Sequence, residues 1–431
     1  MRSISDSRLL AFEALVEVEM HGAYSNLILP KMLGKSKLSP EDRAFTSELV
    51  YGSLRMKGRH DSLISQTSDR RIADIDPKVL IILRLGVHQL TQMRVPSHAA
   101  IYETVELAKR VTGKSSGSFV NALLRNIDVR SEDPSVEEKN DLSRLAIEHS
   151  HPEWIVSSYM DSLKSVDEVE SLLRANNAPA RPTLIAWPGR STIDELIAAG
   201  AKPLPHSSLA ASCEGDPGLI PAIRERRAGV QDRGSQIMVE RFIDTYEENL
   251  RWLDLCAGPG GKAAYLSSIL AQRSGEFIAN EVSRERAQLV EQVVMNFPVV
   301  NHDGRALPSE LGDFDRILVD APCTGIGALR RRPEVRWRRT LQDLKNLTVL
   351  QSELLEEAAR RLRIDGIIAY VTCSSHQAET KFQVRSFLKR HANFARIAVN
   401  DSRSDEDGDL QLWTHRDGCD SMFLSLLKRE V

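Results

Sequence analysis

Two cysteines, Cys323 and Cys373, each follow an apolar run of strand character, in the segments FDRILVDAPCTG (314–325) and GIIAYVTCSS (366–375). A thiolate adds to an electron-poor carbon and can leave again, so two thiols beside a cofactor would suit covalent catalysis. Between them Leu341, Leu344, Leu347, Leu350, Leu354, Leu355 and Leu362 recur at the spacing of an amphipathic helix. A strand, a helix and a strand form a parallel crossover, and parallel strands end at the same edge of their sheet. Both thiols are therefore expected at the carboxyl edge, where open α/β sheets hold their ligands.

A cofactor turn is expected at the same edge. LDLC (253–256) runs into Ala257-Gly258-Pro259-Gly260-Gly261-Lys262, and a helical stretch, AAYLSSIL (263–270), follows. Glycines there let backbone N–H groups approach a ligand at the positive end of a helix. Glu281 closes the next strand, where a carboxylate suits a ribose diol. The spacing departs from G-x-G-x-x-G, which weakens a dinucleotide reading. With Asp254 before the glycines and Asp303 in HDGRAL (302–307), Glu281 completes the acidic series of an S-adenosylmethionine pocket. Methyl transfer from a sulfonium needs a nucleophilic acceptor, which C5 of cytosine is not. A thiolate added at C6 makes the ring an enamine, nucleophilic at C5; a base must later remove the C5 proton before the thiol can leave. Two thiols and a nearby carboxylate fit those steps.

The elements that must position these residues suggest a multi-domain α plus α/β chain, as the length of 431 residues also does. Residues 5–127 read as helix throughout: Leu9, Phe12 and Val16 mark one face, residues 77–85 open a helix apolar nearly all round, and SFVNALLRNI (118–127) closes the bundle. RSEDPSVEEKND (130–141) reads as a linker. From 142 to 245 the signals mix, with a helix near 151–163, a strand in 181–189 and a loop-rich stretch at 202–218, so a small α/β domain is expected. After 246, LRWLDLC (250–256), GEFIANE (275–281), FDRILVD (314–320), GIIAYVTC (366–373) and MFLSLLKR (422–429) alternate with helical stretches, which predicts a doubly wound, mostly parallel sheet. The expected domains are 1–130, 140–245 and 246–431.

At 42% hydrophobic and 27% charged residues, with no apolar run long enough to span a bilayer, the chain reads as cytoplasmic and without a membrane partner. Five cysteines at wide spacings do not make a disulfide framework, and no C-x-x-C or H-x₃-H spacing suggests a metal. The overall net charge is −3, yet residues 1–130 hold 19 Lys and Arg against 14 Asp and Glu. A basic front on an acidic body fits a polyanion-binding module joined to a catalytic one. LRRRPEVRWRR (329–339) follows Cys323 closely, and guanidinium groups suit phosphates and stack on bases, so Arg330, Arg331, Arg332, Arg336 and Trp337 are expected to contact RNA.

Asp320-Ala321-Pro322-Cys323-Thr324-Gly325, Thr372-Cys373-Ser374 and LDLCAGPGGK (253–262) together resemble the RNA (cytosine-5)-methyltransferases. The resemblance implies that Cys373 is the nucleophile, that Cys323 assists release, and that Asp320 contacts the target base and the cofactor. It further implies that Cys256, Ala257, Gly258, Pro259, Gly260, Gly261, Lys262, Glu281 and Asp303 line the S-adenosylmethionine site. The helical front, with SELVYGSLR (47–55), LRLGVHQL (83–90) and residues 118–127, is similar to the NusB-like domain of the bacterial 16S ribosomal RNA methyltransferase B group, and VQDRGSQIM (230–238) to that group's segment before the catalytic sheet. Arg233-Gly234 stands where an acidic-Ala pair is usual, Gly258 where an alanine is, and residues 413–423 also depart from the pattern. The implied activity is methyl transfer to C5 of a cytosine in small-subunit ribosomal RNA, with the protein expected to be monomeric. A transfer-RNA methyltransferase and a non-catalytic RNA-binding factor of the antitermination type are the alternatives.

Overall fold

The computed structural model describes residues 6–130, 140–273 and 275–430, so most of the 130–141 linker lies outside the described residues. The chain divides into two compact units, one formed by Met1–Ala178 with Leu329–Arg338 and the other by Pro179–Ala328 with Arg339–Val431.

The first unit is helical. Its central helix, Pro77–Thr91, is started by Asp76, whose side chain accepts from the Lys78 and Val79 N–H groups, and every residue from Val79 to Gln89 is buried. An all-round apolar helix can be satisfied only by neighbours on all sides. Asp6–Met20, Pro40–Arg55, Ser97–Thr112 and Lys114–Arg130 contribute to the same core through Phe12, Leu15, Leu49, Ile101 and Leu124. Arg84 brings a charge into this core; it is held by Asp61 at 2.7 and 2.8 Å and by Glu19 at 2.6 Å.

The second unit holds two sheets. The small one is antiparallel, in the order β2 (Lys202–Pro203), β3 (Ala210–Ser212), β1 (Thr183–Ala186), β4 (Ala228–Val230). The large one has the order β10 (Phe394–Ile397), β12 (Phe423–Arg429), β9 (Leu362–Thr372), β8 (Phe314–Asp320), β5 (Leu250–Asp254), β6 (Gly275–Asn280), β7 (Val299–Val300), with β11 (Leu410–Gln411) beside β12. Pairing is parallel from β9 through β8, β5 and β6 to β7, and antiparallel where β12 joins β9. The five expected strands are present; β7, β10 and β11 are short additions that carried no readable alternation.

The segment 140–245, expected as one domain, is divided between the two units. Helices Asp141–Glu148, Glu153–Leu163 and Val166–Asn177 belong to the helical unit, whereas the strands from Thr183 onward belong to the sheet unit. Ile185 of β1 and the adjoining Trp187 pack in one cluster with Phe242, Trp252 and Leu266, whereas Leu184, Ala186, Ala211 and Ala228 of the small sheet form a core of their own.

Candidate active site

β8 and β9 are parallel neighbours in which Asp320 lies opposite Val371, so the loops that follow them leave the sheet side by side. The helix between them, Leu341–Arg361, starts with a capping box of Thr340 and Asp343, and buries Leu344, Leu354, Leu355 and Ala358. The backbone bonds Ala321 N to Val371 O (2.9 Å) and Gly327 N to Cys373 O (3.0 Å) join the two loops. Cys323 Sγ and Cys373 Sγ stand 3.2 Å apart, both partly buried and neither in a disulfide. Gly327 is obligatory here, because a Cβ would lie 2.0 Å from the Ser421 carbonyl and 2.9 Å from that of Cys373.

The glycine turn follows β5 at the same edge. Gly260, at φ +113, leads into the helix Gly261–Leu270. Glu281, buried, accepts from Gly258 N at 2.9 Å and from Ser283 N at 2.9 Å, one bond to each carboxylate oxygen. Arg286 donates to the Gly258 carbonyl and stands 3.5 Å from the Glu281 carboxylate. A Cβ on Gly258 would come within 2.2 Å of Glu281 Oε2, so the side chain that this turn lacks is replaced by the acid. The residues thus fit an adenosyl group: a backbone cradle at a helix start, with a ribose-type acid that keeps lone pairs to spare. Asp303, the remaining acid of the expected series, is exposed and paired with Arg305 at 2.6 Å.

Lys262 ties the turn to the thiol loops through Asp320 (Nζ to Oδ2, 2.8 Å). Burial alone would lower the Lys262 pKa, but the Asp320 charge and hydrogen bond, the Cys373 sulfur and Asp254 outweigh it and raise it. Asp254 is fully buried; burial first and the Asp320 charge second push it up to about 8, against the pull of Lys262. The hydrogen bond with Cys373 and burial push the Cys323 thiol well above the usual thiol range, with Glu379 adding to the effect. Cys256 is raised by burial and by Asp254 and is no candidate nucleophile. The Lys262 ammonium couples to the sulfur of Cys373.

Two residues of this site, Gln351 and Glu379, carry no expectation from the sequence, and the motif residues Thr324 and Ser374 had none beyond the resemblance; all four are buried and bonded to one another through Glu379. A signal existed for Gln351, which sits among the leucines of the helical stripe where an apolar residue was due.

The arginine run is placed otherwise than expected. Arg336 is fully buried in the helical unit, where it donates to Ser150 O (3.0 Å) and Asn177 Oδ1 (2.8 Å). It is a structural ligand of that unit and not a surface contact for RNA. Trp337 packs so closely on Gly58 that a Cβ there would lie 2.5 Å from its ring. Arg332 lies 6.0 Å from the centre of the Tyr24 ring, and Arg330, Arg331 and Arg332 are half-buried. Among the described residues no helix is long and apolar enough to cross a membrane.

Residues 242–428 match the family described as 16S rRNA methyltransferase RsmB/F, and residues 5–129 match the NusB family. A putative methyltransferase of Mycobacterium tuberculosis is 40% identical over 99% of this chain and 97% of its own. The chain belongs to the RsmB/F methyltransferase family. Further relatives are the probable ribosomal RNA small subunit methyltransferase B of Bacillus subtilis, 28% identical over 98% of each chain, and the ribosomal RNA small subunit methyltransferase B of Escherichia fergusonii, 29% identical over 91% of this chain and 92% of that one. Among solved structures, that of PH0851 covers 99% of both chains with a TM-score of 0.85 at 22% identity. The structure of NSun6 from Pyrococcus horikoshii with SFG covers 64% of this chain and 98% of that one, with a TM-score of 0.58 at 16% identity. The protein is an S-adenosylmethionine-dependent RNA methyltransferase with a NusB-type helical domain, and the non-catalytic alternative is set aside.

Proposed function

We propose that this RsmB/F-family enzyme methylates C5 of a cytosine in small-subunit ribosomal RNA through a covalent bond between Cys373 and C6. The observation that carries this reading is the pair of sulfurs 3.2 Å apart beside the Lys262–Asp320 pair. S-adenosylmethionine, when bound, supplies a methyl group that leaves its sulfonium as a cation equivalent. Cys373, as a thiolate beside the Lys262 ammonium, forms the sulfur–C6 bond, and the ring electron pair displaced by that addition makes C5 nucleophilic. After methyl transfer the C5 proton must go to a base, the C5–C6 double bond re-forms, and Cys373 departs with the electron pair of its bond to C6. Cys323 is the group within hydrogen-bond reach of the departing sulfur, which suits it to assist release. Asp320, anchored by Lys262, is the proposed acceptor of a hydrogen bond from the cytosine. A cytosine must be unstacked to meet these groups, so a loop or an assembly intermediate is the proposed form of the substrate. Arg330, Arg331 and Arg332 are the part of the arginine run for which RNA contact is proposed.

The test uses labelled S-adenosylmethionine with either naked 16S RNA or bulk transfer RNA. Label in the ribosomal RNA is expected; label confined to transfer RNA would reassign the substrate. Cys373→Ala should give neither methylated RNA nor an adduct. Cys323→Ala should accumulate a protein–RNA conjugate that survives denaturation, and normal turnover by this variant would refute the release role.

A further inference from the structure

The Glu379 carboxylate lies, fully buried, beneath the two thiol loops. One oxygen accepts from Thr324 N at 2.8 Å and Gln351 Nε2 at 3.1 Å; the other accepts from the Thr324 hydroxyl and from Ser374 Oγ at 2.6 Å. Thr324 is the residue after Cys323, and Ser374 is the residue after Cys373. Gln351 also donates to the carbonyl of Pro322, the residue before Cys323, at 2.9 Å. The acid's own carbonyl accepts from Tyr370 on β9 at 2.8 Å, which holds Glu379 against the strand that delivers Cys373.

We propose that Glu379 is the positioning residue that sets the separation of Cys323 and Cys373, by binding the residue that follows each. The proposal rests on the covalent reading of the site but makes a claim about geometry that can be judged without it. Strand pairing sets the course of the two backbones. It does not fix the direction of a side chain that has already left the ladder. A single carboxylate that accepts from both loops couples their rotation, so that the two sulfurs move together. Such coupling matters for a reaction in which one thiol must follow the other's bond to the base, since a displacement of about 1 Å can cost about a hundredfold in rate. Glutamine at this position keeps the volume but only one acceptor oxygen: with that oxygen toward the two hydroxyls, its amide nitrogen meets the Thr324 and Gln351 N–H groups donor to donor. Alanine removes the bridge.

The test begins on the RNA-free protein with diamide, which oxidises two neighbouring thiols to a disulfide by taking up their two protons and two electrons. The Cys323–Cys373 disulfide is followed by mass spectrometry, at a temperature where the circular dichroism of each variant equals that of the wild type. Glu379→Ala is expected to form it about tenfold more slowly and Glu379→Gln about threefold more slowly. Wild-type rates in the glutamine variant, which should fold even if the alanine variant does not, would overturn the proposal. The second readout is turnover on RNA. Glu379→Gln is expected to accumulate the covalent conjugate, because release suffers more than attack. Equal losses in both steps would indicate a merely structural acid and also overturn it. If the wild type itself forms no cytosine adduct, the covalent reading fails while the diamide rates still judge Glu379.

Discussion

Arg336→Ala separates a structural arginine from a nucleic-acid contact. Two of the Arg336 bonds are short, 3.0 Å to Ser150 O and 2.8 Å to Asn177 Oδ1, and those to Arg55 O and Asn176 O are each 3.4 Å. A hydrogen bond to a charged group contributes about 1.5–3 kcal/mol net, so the short pair represents about 3–6 kcal/mol. Burial has already pushed the guanidinium down to about 9, so the native state carries a desolvation cost that alanine relieves. The lower end is therefore expected, about 3 kcal/mol, which for a unit of this size lowers the unfolding midpoint by about 6–12 °C. Thermal melts followed by circular dichroism measure it. RNA binding measured well below the midpoint should keep the salt dependence of the wild type. Neutral substitution of Arg330, Arg331 and Arg332 should leave the midpoint within about 2 °C, yet lower the salt slope by about 0.7 for each phosphate of single-stranded RNA that is no longer neutralised. An Arg336→Ala protein that melts with the wild type and binds RNA with a reduced salt slope would refute the assignment.

Asp254, raised to about 8, keeps its proton in the native state between the unfolded carboxyl pKa of about 3.9 and 8, so native protein binds the extra proton and stability falls as pH rises through that window. Asp254→Asn, which cannot ionise, should therefore gain in midpoint relative to the wild type from pH 5 to pH 8.5; parallel curves would contradict this. Gly258→Ala places a Cβ 2.2 Å from Glu281 Oε2 and should weaken S-adenosylmethionine binding at least tenfold by calorimetry. Adding Glu281→Asp, one methylene shorter, should recover part of that loss, and simple additivity of the two substitutions would argue against the coupling. Lys262→Met removes the ammonium that couples to the Cys373 sulfur, so the pH midpoint for Cys373 alkylation by iodoacetamide should move up by about one unit or more. An unmoved midpoint would show that Lys262 serves Asp320 alone.

Much of the site was legible because its residues lie next to strand ends, and strands announce themselves by local pattern. FDRILVD (314–320) and the leucine stripe between the thiols required the parallel crossover, and the parallel crossover required both cysteines at one edge. The glycine turn and Glu281 were readable for the same reason. The all-round apolar helix at 77–91 announced the centre of the helical unit. What a one-dimensional pattern does not carry is which polar residue meets which across a long loop. Arg336 reads as a surface charge beside its five neighbouring arginines, and only the converging carbonyls of Ser150, Arg55 and Asn176 make it a buried donor. The helices after the linker and the strands at 183–230 looked like one domain by proximity in sequence, yet the chain divides between its two units at Ala178 and Pro179. Glu379 carries no local signal, since an acid in a polar loop is ordinarily solvated. Sequence by itself therefore determined the chemistry available, two thiols and a cofactor turn on one sheet edge, because those are properties of strand order. Tertiary structure alone decided the surroundings of the thiols and what holds them 3.2 Å apart, because electrostatics and hydrogen bonding depend on through-space neighbours that come from Lys262, Gln351 and Glu379, far apart along the chain.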